Sequence, residues 1–214
     1  AFLIAPFPDG YWEGDSSFDA FLAAIETAGM KPSQIAGVIM ESYQGVGPDS
    51  APVPYIEKLR AWCDEHQVVL TFDEVQAGFG RTGKFWAFEH YGVNPDIICC
   101  GKGISSGMPL SAVIGKAEIM DQFPPGSMTS THTGNPVCCV AATANIRKIL
   151  SEDLTGNAAK LGPVLLEGLK KIQATHPDVI GHVTAVGLVG GMQTVKPGTK
   201  TPDHDLAHRI IELC

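Results

Sequence analysis

The chain carries short, almost wholly apolar runs that end in charged residues, separated by stretches with helical periodicity. That alternation leaves few folds open. Val68–Phe72 is one such run and stops at Asp73-Glu74; the run that starts at Asp96 ends at Cys100 and leads into Gly101-Lys102. Ser111–Ile114, Ile35–Met40 and Phe2–Ala5 are of the same kind. Runs of this length without polar alternation suit strands buried on both faces. Between them, Phe18–Ala28 reads as a helix. Ile56, Leu59 and Cys63 recur at i, i+3 and i+7, so Pro54–His66 reads as a second, amphipathic one. Strands alternating with helices predict a mostly parallel sheet with helices on both faces.

After Pro136, a residue favoured at a helix start, Val137–Leu150 reads as a small-residue helix. The composition then shifts. Leu154–Thr175 predicts a long amphipathic helix, Val183–Val195 a glycine-rich hairpin, and Lys196–Asp203 a turn. A domain boundary is expected near Ser151, giving a large domain over 1–151 and the start of a smaller α+β domain over 152–214. The first residue is Ala1, in an apolar run, and Cys214 falls inside the periodic stretch of Leu206, Ile210 and Leu213. The expectation is therefore a central piece of a longer protein, lacking the first part of its large domain and truncated in its small one.

Charge narrows the function classes. A net charge of −8 with no clustered Lys or Arg gives no face for a phosphate backbone. No apolar run approaches 18 residues, so no spanning helix is expected. The six cysteines form no C-x-x-C and no His cluster stands at zinc spacing, so no metal site is predicted. The expectation is reduced, mostly buried thiols in a reducing compartment such as the cytoplasm.

Open α/β sheets bind ligands at the carboxyl ends of their strands. Three features stand there: Asp73-Glu74-Val75-Gln76, Gly101-Lys102-Gly103, and the loop Thr129–Pro136 that opens a helix. Lys102 follows a buried strand between two glycines. It is either a lysine that has reached the surface or a desolvated amine suited to a Schiff base, its pKa brought below the ordinary value of about 10.4. Asp73 fits a metal ligand, a helix cap, a solvated strand end or a Walker B acid. The phosphate loop that the last would need is half present, as Gly78-Phe79-Gly80-Arg81-Thr82-Gly83-Lys84, but Phe85 follows where a hydroxyl is required. The same glycines spell G-x-G-x-x-G. Some 20 residues on, however, stands Lys102 and not the acid that would bind a ribose, so the nicotinamide reading fails.

Taken together, Thr71–Gly115 resembles the pyridoxal-phosphate (PLP) lysine region of class III (ω-) aminotransferases. Glu41-Ser42-Tyr43-Gln44-Gly45 is similar to that family's E-P-x-Q-G segment, and Ser130–Pro136 to its S-T-x-x-G-N-P segment. The likeness extends over the whole chain and is dense between Ala36 and Leu150. Two departures stand out. Ser42 occupies the place of the usual proline, and Val183–Leu188 lacks the arginine of V-R-G-x-G-L.

The resemblance implies the PLP-dependent transferase type I fold. It implies amino transfer from an amine or amino acid to a keto acid, through an internal aldimine on Lys102 and a pyridoxamine phosphate form. The alternative within the fold is a lyase, epimerase or decarboxylase, since fold and cofactor do not choose the outcome. It implies that Lys102 holds PLP and shuttles a proton, Asp73 pairs with the pyridinium nitrogen, Val75 packs on the ring and Gln76 approaches its hydroxyl. Thr131 would bind the phosphate of a neighbouring subunit's cofactor across a homodimer interface. The phosphate cup and the carboxylate-binding arginine of the family have no counterpart in this sequence.

Overall fold

Four strands make the main sheet, side by side in chain order: β1 (Gly37–Glu41), β2 (Val69–Asp73), β3 (Ile97–Cys100) and β4 (Ala112–Gly115). The structure, a computed structural model, describes residues 2–12, 15–47 and 49–214. The pairs β1–β2 and β2–β3 are parallel, whereas β4 returns antiparallel to β3 with Ile98 opposite Ile114. Helices α1 (Phe18–Thr27) and α2 (Val53–His66) cover one face. Leu70 and Phe72 of β2 are fully buried there, against Phe21, Ile56, Leu59 and Trp62. Phe21 and Trp62 meet edge to face at 5.3 Å, a geometry aromatic quadrupoles favour. Residues of opposite parity point to the other face, where Ile39 is 66% and Val113 54% exposed.

Asp96 fastens β2 to β3. Its backbone N–H donates to Leu70 O at 2.8 Å and its carboxylate accepts from Leu70 N at 2.8 Å. The same carboxylate meets Arg60 Nη1 at 2.9 Å and Lys116 Nζ at 2.7 Å. Burial alone would raise the Asp96 carboxyl; Lys116, the Leu70 N–H and Arg60 outweigh it and hold the group below its usual range.

Beyond β4 come a short helix α3 (Ala117–Met120), then α4 (Pro136–Ser151) and α5 (Leu154–Thr175). The hairpin β5 (Ile180–Val186) and β6 (Val189–Thr194) and a last helix α6 (His204–Leu213) follow. Asn135 caps α4 by accepting from Val137 N and Cys138 N, Asp153 caps α5 and Asp203 caps α6. Such caps are worth about 1 kcal/mol each. Helix α5 packs along β5. None of the helices among the described residues is long and apolar enough to cross a membrane.

Most elements fall within a residue or two of where the sequence places them; the hairpin starts three residues early, at Ile180, α3 is not expected from the sequence, and one predicted strand is missing. Phe2–Ala5 forms no strand; Phe2 and Ile4 are almost wholly exposed and only Ala5 reaches the core. An apolar run becomes a strand only beside a partner edge, and this segment has none among the described residues. The cysteines are all free, but Cys139 and Cys214 are exposed and Cys99 only half-buried, so fewer are buried than expected.

The glycines of the G-x-G-x-x-G run have a packing role instead. A side chain on Gly80 would reach Thr155 Oγ1 at 2.7 Å, and one on Gly83 would strike Ala159 Cα at 2.8 Å. Both sit at positive φ, where a side chain is disfavoured as well. The loop is thus cut to let α5 lie directly on it, and the turn joining β5 to β6 joins the same contact through Leu188 N to Arg81 O at 2.8 Å.

Candidate active site

Because β2 and β3 are parallel neighbours, their carboxyl ends open on the same side. Asp73 is in register with Cys99, and Lys102 follows three residues later on a short 3-10 turn, Lys102–Ile104. Asp73 accepts the Val75 N–H at 2.9 Å, an Asx-type turn that swings the chain out of the strand. Val75 then lies over Gly101: a methyl placed on that glycine would stand 3.6 Å from Val75 Cγ1. Gln76 Oε1 accepts a hydrogen bond from Lys102 Nζ, 26 residues away in sequence. Asp73, Val75, Gln76 and Lys102 are therefore brought together. Asp73 and Lys102 are not ion-paired with each other among the described residues, so acid and amine stand apart on one ridge.

Lys102 is exposed, not desolvated, because it sits on a turn beyond the end of β3. Its backbone has φ +38°, the left-handed region that residues with a Cβ avoid. Thr131 lies elsewhere, in the exposed 127–135 loop, where Ser130 N donates to Thr133 Oγ1 at 2.9 Å. Beside Asp73 is the Cys99 thiol, pushed up by burial and then by the Asp73 charge.

Glu74 was not singled out from sequence, yet it is fully buried. It accepts from Ala87 N at 2.9 Å, from Phe88 N at 2.9 Å, and from the Ser42 hydroxyl. Burial pushes its carboxyl up, and the three donors offset part of that. Tyr91 in turn donates its hydroxyl to Ser42 O. Ser42, the departure from the family's proline, thus puts a hydroxyl where it ties the end of β1 to the turn holding Asp73 and Gln76. No local pattern announces this, since the partners of Glu74 lie 13, 14 and 32 residues away.

A cleft of about 580 Å³ lies on the other flank of Lys102, lined among others by Arg81, Asn145, Leu154 and Leu188. Its lining does not include Asp73, Val75 or Gln76.

An acid and an amine stand at the ends of neighbouring parallel strands, at the carboxyl edge where α/β sheets carry their ligand sites. The Aminotransferase class-III family matches residues 2–213, and the chain belongs to that family. The family is PLP-dependent. The 5-aminovalerate aminotransferase DavT of Pseudomonas putida is 40% identical over 199 residues, 91% of this chain and 47% of that protein. The 4-aminobutyrate aminotransferase GabT of Escherichia coli is 40% identical over 182 residues, 84% of this chain and 42% of its own length. A Bacillus anthracis aminotransferase structure superposes with a TM-score of 0.81 at 34% identity, over 91% of this chain and 45% of that one. The chain thus spans about half the length of the curated relatives it matches.

Proposed function

We propose that this chain is the cofactor-holding part of a PLP-dependent aminotransferase that moves an amino group from an amine or amino acid to a keto acid. The observation that carries the reading is the Lys102 Nζ to Gln76 Oε1 hydrogen bond, which draws the lysine that follows β3 onto the turn that bears Asp73. The residues fit the cofactor: a carboxylate and an amine stand at neighbouring strand ends, with the apolar Val75 side chain between them over the Gly101 backbone. When bound, PLP supplies an electron sink for the charge left on the substrate carbon. Lys102 would hold it through Nζ, and the same nitrogen would carry the proton of the substrate carbon. Asp73 keeps the ring nitrogen protonated, Val75 supports one ring face and Gln76 orients the ring hydroxyl. We take residues 1–151 as belonging to the cofactor-binding domain and 152–214 to a second, smaller one. Its free cysteines suit a reducing compartment, and the cytoplasm is the proposed location.

The test uses the complete PLP-loaded protein and an amino donor without keto acid. An aminotransferase releases about one equivalent of carbonyl product per site and stops until acceptor is added, as ping-pong chemistry requires. Continued turnover without acceptor, or no carbonyl product from any of a broad panel of donors, would point to the lyase, decarboxylase or epimerase outcomes.

In the same reading the enzyme is a two-fold homodimer in which Thr131 binds the phosphate of the partner's cofactor. The exposure of the 127–135 loop supports this, since it leaves the hydroxyl free to reach another subunit. Mixing Lys102→Ala with Thr131→Ala subunits creates dimers with one intact site and one doubly defective site. Activity is expected to rise on mixing to that of about one site per mixed dimer. No gain, with mixed dimers shown to form, would remove Thr131 from the partner's site.

A further inference from the structure

We infer that Asn145 of α4 is a positioning residue for Lys102: its side-chain amide holds the turn that carries the lysine, and so fixes where Nζ stands relative to Asp73 and Gln76. The inference rests on the proposed role of Lys102. The turn Lys102–Ile104 needs an outside hold for two reasons. Lys102 has a left-handed backbone, which a residue with a Cβ adopts only when its surroundings impose it. The turn also closes with a hydrogen bond from Ile104 N to Gly101 O at 2.9 Å, and the carbonyls of Gly103 and Ile104 at its far end take their donors from elsewhere.

Asn145 supplies them. Its Nδ2 donates to Gly103 O at 2.7 Å and to Ile104 O at 3.2 Å, matching the two hydrogens of one amide with two acceptors. The position is otherwise an apolar one. Ala142 and Ile149, three residues before and four after, are buried with Ile104 and Cys100 in one cluster. A half-buried asparagine in that stripe is poor packing unless its amide is satisfied. From the other side the turn is held by Phe79, whose Cβ lies 3.4 Å from where a Gly103 side chain would begin. Asn145 has no hydrogen bond to Asp73, Val75 or Gln76 among the described residues, so its effect on them runs through the backbone of the lysine turn.

The experiment compares wild-type and Asn145→Ala forms of the complete PLP-loaded protein by absorbance titration, steady-state kinetics and thermal melting. Release of the turn lets the backbone that carries Nζ shift relative to Asp73 and Gln76. The pH titration of the visible absorbance of the bound cofactor, which reports the surroundings of that nitrogen, is then expected to move by about 0.5–1 pH unit. A fall in kcat of about tenfold is expected, with KM for the amino donor within about twofold. A purely structural role would lower the melting temperature and leave the titration where it was. If Asn145→Ala does not fold, Asn145→Ser is read in the same way, its hydroxyl being too short to reach both carbonyls. A folded variant with wild-type titration and kcat overturns the inference. If borohydride fixes no PLP to Lys102 of the wild-type protein, the functional reading fails first and the inference with it; if it does and the variants match wild type, the inference alone falls.

Discussion

Lys102→Ala is expected to lower turnover of the PLP-loaded protein by about 10⁴-fold or more, because one substitution removes both the proposed covalent anchor and the proposed proton carrier. The loss should be chemical and not structural. The Lys102 side chain is exposed and has one hydrogen-bond partner, Gln76, so the core does not depend on it. Alanine carries the same Cβ into the same left-handed backbone, so the strain of the turn is unchanged. Asn145, Phe79 and Ile104 continue to hold that turn. The melting temperature of the apo form should therefore match wild type, while PLP still binds without covalent attachment. Peptide mapping after borohydride reduction supplies the direct check. In the wild-type protein the label should lie on the peptide containing Gly101–Ser105. Recovery on Lys84 or on Lys116, which is paired with Asp96, would end the assignment.

How much of this was legible beforehand depends on whether the signal is local. Leu70 and Phe72 lie in a run whose burial follows from its composition, and β2 and β3 appear where such runs appear. Leu154–Thr175 is a helix over the span its periodicity predicts. Asp73 and Lys102 were recognisable because a charge closing an apolar strand is itself a local pattern. What escaped depends on partners far along the chain. Phe2–Ala5 has a strand's composition without a strand's neighbour. The direction of β4 is set by its pairing with β3 and not by its four residues. Glu74 looks like the weaker half of an acidic pair until Ser42, Ala87 and Phe88 are seen around it. Asn145 reads as an ordinary polar helix residue until its two carbonyl partners, more than 40 residues earlier, are in view.

Asp73→Asn is the second large effect, and it separates charge from shape. The side chain keeps its size, and an amide oxygen can still accept the Val75 N–H that turns the chain after β2. Glu74 stays buried with its donors, so the neighbouring backbone has no reason to move. What disappears is the negative charge proposed to keep the ring nitrogen of the cofactor protonated. Without it the ring draws electrons poorly, and the proton at the substrate carbon becomes harder to remove. Removing one member of a buried charge pair commonly costs about 3–5 kcal/mol, equivalent to about two to four powers of ten in rate. The expected result is a folded protein with nearly all turnover lost, a shifted cofactor absorbance, and PLP that leaves on dialysis more readily than from wild type. Steady-state rates, absorbance spectra and cofactor retention measured on one preparation check all three. Turnover equal to wild type would exclude Asp73 as the partner of the ring nitrogen, whatever the fate of the Lys102 assignment.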